Sequence, residues 1–270
     1  MDHELIEMLK NFIEKNSRKI DLQFDPSHES KLPIDPYSKS YQEKKRTAHY
    51  LLLVASIDEG NVVGKADNAR KLIVNLYKHF DEKLFEITDE SLLDKVLDNI
   101  SLPLSRLKRK IPEILVSVNR FVDKKANGDL IKYSKEFHTP SDFVSQLGKN
   151  IVRMGKNKSS TRKKAWMYMR WMVRDYPDLR IFDHFSPKEL FIPLDKNVTR
   201  VAICCGEICC KKALNWRDVV KVTKFARRLY PNDPAKIDYP FFLLGKKLLE
   251  KNKGKPLNKQ TLKNLLRELL

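Results

Sequence analysis

The segment Arg162–Arg174, RKKAWMYMRWMVR, constrains the fold more than any other stretch of the chain. Its apolar side chains, among them Ala165, Trp166, Met169, Met172 and Val173, fall on nearly every side of a helix. Such a helix is stable when other elements enclose it. The chain must therefore supply further layers around this one segment.

Those layers also read as helices. Leu5, Ile6, Leu9, Phe12 and Ile13 alternate with charges over residues 3–19, an amphipathic pattern. A polar stretch punctuated by Pro26, Pro33 and Pro36 reads as a linker. Further helices are expected at about 42–58, 66–80, 140–154, 162–174, 196–205, 216–229, 236–250 and 258–270, with two short ones within 88–122. The signature Thr139-Pro140-Ser141-Asp142 is that of a capped helix start. No run alternates as a strand would. Only eight glycines occur, too few for a fold of many tight turns, and no GxGxxG or GxxxxGK[ST] loop is present. The expected class is all-α.

With 53 Lys and Arg against 35 Asp and Glu, the chain carries a net charge of +18. A balance on this scale favours a polyanionic partner. Hydrophobic residues at 41% supply a core, so wholesale disorder is not expected. The longest apolar run, Tyr50 to Ser56, is far short of the ~18 residues a membrane span needs. The opening MDHELIEMLK lacks the basic-then-apolar order of a signal peptide, so a cytoplasmic protein is expected. The four cysteines crowd into CCGEICC without CxxC spacing. They read as structural, and the helical phase of Val198, Val201, Ala202 and Cys205 puts Cys205 in the core. A metal or redox role is the alternative.

Two places can carry chemistry. Lys163 and Lys164 occupy the first turn of the apolar helix, next to Arg162. The helix dipole and the neighbouring cations both disfavour an ammonium there, so a lowered pKa and a nucleophilic amine are expected. The plain alternative is a solvated basic turn touching phosphate. Asp195, in FIPLDKNV, precedes another helix. It is either an N-cap or a carboxylate, kept ionised by the helix start, that faces a cleft and stabilises a cation.

RKKAWMYMRWMV followed by FIPLDKNVTRVA resembles the core of the helix-hairpin-helix DNA glycosylases, the superfamily of endonuclease III. The 32 residues between Lys163 and Asp195 are similar to the spacing in the archaeal 8-oxoguanine DNA glycosylases. GNVVGKAD, with Asn61, and IDYPFFLLGK, with Asp238 and Phe242, resemble two further motifs of that branch, over roughly Arg46 to Lys247. Asn61 stands where the family has Gln, Phe242 where it has Trp, and Met167 where it has an aromatic. GKNKSST replaces the usual LPGVG-like hairpin.

The resemblance implies two helical subdomains with the active site in the cleft between them. Residues 1–34 would form an N-terminal helix and linker packing on the C-terminal subdomain, 35–138 one helical subdomain, and 139–270 the hairpin and catalytic subdomain. It implies base excision with β-elimination at abasic sites through a lysine Schiff base, removing an oxidised purine such as 8-oxoguanine. Lys163 would be the nucleophile and Asp195 the stabilising carboxylate. Asn61, Met167, Trp171, Pro193, Asp238 and Phe242 would bind the flipped base. Lys156, Lys158 and Arg162 would hold the DNA backbone. The iron–sulfur cysteine pattern is absent after Asp238, so no metal or cofactor is expected. The expected partner is DNA bearing a damaged base or an abasic site, bound by a monomer that associates with the nucleoid through that DNA. A non-catalytic all-α nucleic-acid-binding protein would use the same charge and loops without a Schiff base.

Overall fold

Capping residues and prolines decide where the helices begin. The computed structural model describes residues 2–19, 24, 32–64, 66–209, 213–252 and 256–270. Among them the regular structure is entirely helical: α1 (His3–Asn16), α2 (Tyr41–Ile57), α3 (Gly60–Val63), α4 (Ala66–Phe80), α5 (Glu90–Leu97), α6 (Ile111–Lys124), α7 (Leu130–Ser134), α8 (Pro140–Asn150), α9 (Lys163–Val173), α10 (Lys196–Cys204), α11 (Trp216–Leu229), α12 (Asp238–Asn252) and α13 (Lys259–Leu269), with short 3-10 turns between some of them. Thr139 caps α8 by accepting from the Asp142 N–H at 3.2 Å. Asn215 and Asp218 form a reciprocal capping box on α11. Among the described residues no helix is long and apolar enough to cross a membrane.

The helices pack into two hydrophobic clusters. The larger joins α2, α4, α6 and α8 around α9, whose Trp166, Tyr168, Trp171 and Met172 are fully enclosed. The smaller is built from α1 and α10 to α13. The larger cluster is drawn mainly from residues 34–190 and the smaller from α1 and residues 192–266. Of the expected linker, Pro26 lies outside the described residues.

Several boundaries differ from the sequence pattern, each for a local reason. The helix expected to reach 154 stops at Asn150, since Ile151 is extended and Arg153 takes a positive φ of 63°. α3 and α7, of four and five residues, are too short to show a period. Cys204, not Cys205, is the buried core thiol. α10 ends there, and Cys205, half-buried at the C-cap with its N–H still bonded to the Val201 carbonyl, packs against the edge of the smaller cluster. Cys204, Cys205 and Cys209 are free thiols, and Cys210 lies outside the described residues.

Where α12 crosses α10, glycine is required. A Cβ on Gly245 would lie 2.1 Å from the Asn197 carbonyl oxygen. This close approach sets the start of α10, and with it Asp195, against α12. Buried ion pairs join the two clusters: Arg170 Nη1 on α9 meets Asp238 Oδ2 on α12 at 2.6 Å. Arg174, just past α9, grips Asp233 with Nε at 2.8 Å and also pairs with Asp178.

Candidate active site

A cleft of about 680 Å³ opens where the two clusters meet. That volume suits a small ligand or one extruded nucleoside. Its lining includes Lys163, Asp195, Asn61, Met167, Trp171, Pro193, Asp238, Phe242 and Arg162. The structure therefore brings together nine of the eleven residues singled out from the sequence. Lys156 and Lys158 do not line it; both are exposed on the loop between α8 and α9.

The two lysines at the start of α9 have separate environments. Lys163 is half-buried, and its Nζ donates to Asp58 Oδ2 at 2.6 Å. The expectation of a lowered pKa does not hold for it. Burial does oppose the charge, but the carboxylate of Asp58, with those of Asp195 and Asp238 further off, outweighs burial and holds the amine above the ordinary lysine value. Lys164 is the buried partner. Its Nζ donates to the Ser56 carbonyl at 2.7 Å and lies 3.5 Å from Glu59. Burial, set against the Glu59 charge, pushes it down to about 8. The lowered value therefore falls on the lysine that is tied to the end of α2.

Asp195 serves as cap and cleft carboxylate together. Its Oδ1 accepts from the Val198 N–H at 2.7 Å, closing the first turn of α10. Burial raises its pKa, against the Val198 hydrogen bond and the Lys163 charge. The helix start therefore does not outweigh burial, contrary to the expectation from the sequence. Asp238 is spoken for by Arg170, so its reach toward the cleft passes through that ion pair.

Other positions also depart from expectation. Arg162 takes a left-handed conformation, φ 50°, and turns its guanidinium inward. Nη1 donates to Ser145 Oγ at 2.8 Å and Nε to the Gly155 carbonyl at 3.2 Å. It braces the loop between α8 and α9 onto α8, where the sequence suggested a phosphate contact. Met167 and Trp171 are core residues that also form the back wall. Phe242 is half-buried and stacks on Tyr239 at 6.3 Å with planes 10° apart. Asn61 is exposed on α3, and its carbonyl accepts from the Leu107 N–H at 3.1 Å.

Sequence reasoning missed Asp58, Glu59, Arg170 and Tyr239, all on the cleft. The available signals were an acidic pair ending the apolar α2 in ASIDEG and an arginine inside the most apolar helix. Among the described residues no group of His, Cys, Asp and Glu is arranged to hold a metal ion.

A family model described as "Protein of unknown function (DUF2400)" matches residues 37–247. The chain belongs to this family. The match takes in the larger cluster apart from Phe24 and Ile34, the cleft and α10 to most of α12, and leaves out α1 and α13. No curated protein matches the chain.

Proposed function

We propose that the chain is a DNA N-glycosylase with abasic-site lyase activity. The observation that carries this reading is the meeting, at one cleft, of an amine and a carboxylate 32 residues apart, each at the start of its own helix. The helical fold, the basic surface and the aromatic wall of Tyr239 and Phe242 agree with it. A damaged nucleotide must leave the duplex stack before its C1′ can be reached. The extruded base then rests against Met167 and Phe242.

Chemistry at C1′ needs Lys163 as the free amine. Its proton leaves to water, and Nζ bonds to C1′ as the glycosidic bond breaks. The electron pair departs with the base, which takes up a proton. Asp195 stabilises the positive charge that develops on the sugar. O4′ then leaves C1′ as a hydroxyl, giving an iminium. Loss of a C2′ proton expels the 3′ phosphate with the C3′–O electron pair, and water hydrolyses the imine to regenerate the lysine. An oxidised purine such as 8-oxoguanine is the proposed substrate class.

The test is cyanoborohydride trapping on duplexes carrying an abasic site or 8-oxoguanine. Wild-type protein should form a covalent adduct and Lys163→Gln none, with binding retained. Tight binding of both proteins with no adduct from either would support the non-catalytic reading instead.

A further inference from the structure

We infer that the outer face of α11 is a second duplex-binding surface, which grips the phosphates of DNA flanking the nucleotide held in the cleft. The choice of duplex rests on the function proposed above; the surface itself rests on separate observations.

Arg217, Lys221, Lys224 and Arg228 recur at helical spacing along α11, and all four are exposed. The one acid on this helix, Asp218, is buried and turned back to accept from the Asn215 N–H at 3.0 Å. The solvent face is therefore of a single sign. Among the described residues Arg228 alone of the four makes an ion pair, with Glu207. A mixed-sign face would serve solubility as well, and the other helices of fourteen residues or more carry exposed or half-buried acids such as Glu4, Glu43, Asp67, Glu113 and Glu250. A one-signed stripe matches a regular polyanion.

The N-terminal end of α11 is also anchored beside the cleft. The Trp216 N–H, opening α11, donates to the Ser159 carbonyl of the hairpin loop at 2.9 Å. The Trp216 ring stacks near Trp166 of α9, 6.2 Å apart with planes at 19°. Leu214, just before α11, lines the cleft. From Arg217 to Arg228 the stripe runs about 16 Å at ~1.5 Å per residue. That length faces roughly five base pairs of one strand at ~3.4 Å each. A nucleotide in the cleft and phosphates on α11 thus belong to one continuous duplex.

The experiment reverses Lys221 and Lys224 together (Lys221→Glu, Lys224→Glu). A control pair of equal charge change, Lys124→Glu with Lys125→Glu, lies outside the cleft. Affinity is measured across a salt series for abasic-site duplexes with long flanks and with flanks trimmed to about four base pairs on either side. Losing two phosphate contacts should reduce the slope of log K against log salt by about 2 and weaken long-duplex binding about tenfold or more. The variant should no longer distinguish long flanks from short ones, while its trapping rate at saturating DNA stays at wild type. Equal losses from both pairs, or a variant that still prefers long flanks, would overturn the surface. So would loss of binding to acidic phospholipid vesicles with duplex binding intact. If wild type fails to trap abasic DNA but the α11 pair alone changes the duplex slope, the surface stands and the lyase reading falls.

Discussion

Replacing Asp58 by Asn should make Lys163 a faster nucleophile at neutral pH, not a slower one. Lys163 Nζ and Asp58 Oδ2 are 2.6 Å apart, and Asn can still accept that hydrogen bond through its amide oxygen. What is lost is one negative charge in contact with the amine. An opposite charge at such range biases a protonation equilibrium by about 10- to 1,000-fold. The lysine side chain keeps 26% of its exposure, so water screens part of the effect. The lower end of that range, about 10- to 30-fold, is therefore expected. Asp195 and Asp238 still favour the ammonium, so the shift is partial. The sign follows from the raised pKa: below it, the neutral fraction grows tenfold per pH unit, and removing the cause of the rise moves the whole profile to lower pH. The assay is single-turnover cyanoborohydride trapping on saturating abasic-site duplex from pH 5.5 to 9, with melting temperature as the check on folding. Trapping at pH 7 should accelerate about tenfold, and the two profiles should run parallel through this range, since the wild-type amine titrates above it. An unmoved profile, or a uniform slowing at every pH, would refute the reasoning; the slowing would mean that Asp58 is required as the proton acceptor.

Asp195→Asn should keep the α10 cap, since Asn caps about as well as Asp, and leave the melting temperature nearly unchanged. Its single-turnover base release should fall about 10²- to 10³-fold, and a wild-type rate would leave Asp195 as a cap alone. Lys164→Gln should retain trapping but lose about 1–3 kcal/mol of stability in urea titration, because it leaves the buried Ser56 carbonyl short of its donor. Abolished trapping at unchanged stability would transfer the nucleophile's role to Lys164. Gly245→Ala must separate α12 from the Asn197 backbone; a cost of about 1–3 kcal/mol, or roughly 2–4 °C in Tm per kcal/mol, should accompany slower base release. Full stability and full rate together would show that the helices yield without disturbing Asp195.

The parts of the site that were legible in the sequence are those fixed by local pattern. Lys163 and Asp195 stand at helix starts, and a helix start is visible in the residues around it. The environment of Lys163 was not legible, because the charges on it come from three other elements. Asp58 lies 105 residues away, and an acid after an apolar helix has many ordinary uses. Reasoning from α9 alone counted its dipole and Arg162, and so obtained the wrong sign. Arg162 misled for a related reason. Its basic neighbours suggested a solvent-facing loop, but the left-handed turn aims it at Ser145 and Gly155. The all-α class was recoverable because long periods repeat. Which helices share a cluster was not, since that depends on which neighbour each apolar face meets.

The cleft's two principal groups come from different clusters, so their separation depends on contacts outside it. Lys163 is oriented by its neighbour. Successive residues on an α-helix are about 100° apart, and Lys164 is anchored inward on the Ser56 carbonyl. Lys163 must then project about a third of a turn away, toward the open side. Asp195 is positioned from the other cluster, two residues before the Asn197 backbone that rests on Gly245. The seam between the clusters carries Arg170–Asp238 and Arg174–Asp233. Buried pairs of this kind contribute little net stability once desolvation is counted, but their geometry is directional. An apolar seam would let α12 slide along α9 at small cost; a guanidinium fixed to a carboxylate at 2.6 Å resists that slide. The sequence thus places charges at the seam, where register matters, beside the aromatic contact of Trp166 with Phe191 and Trp216.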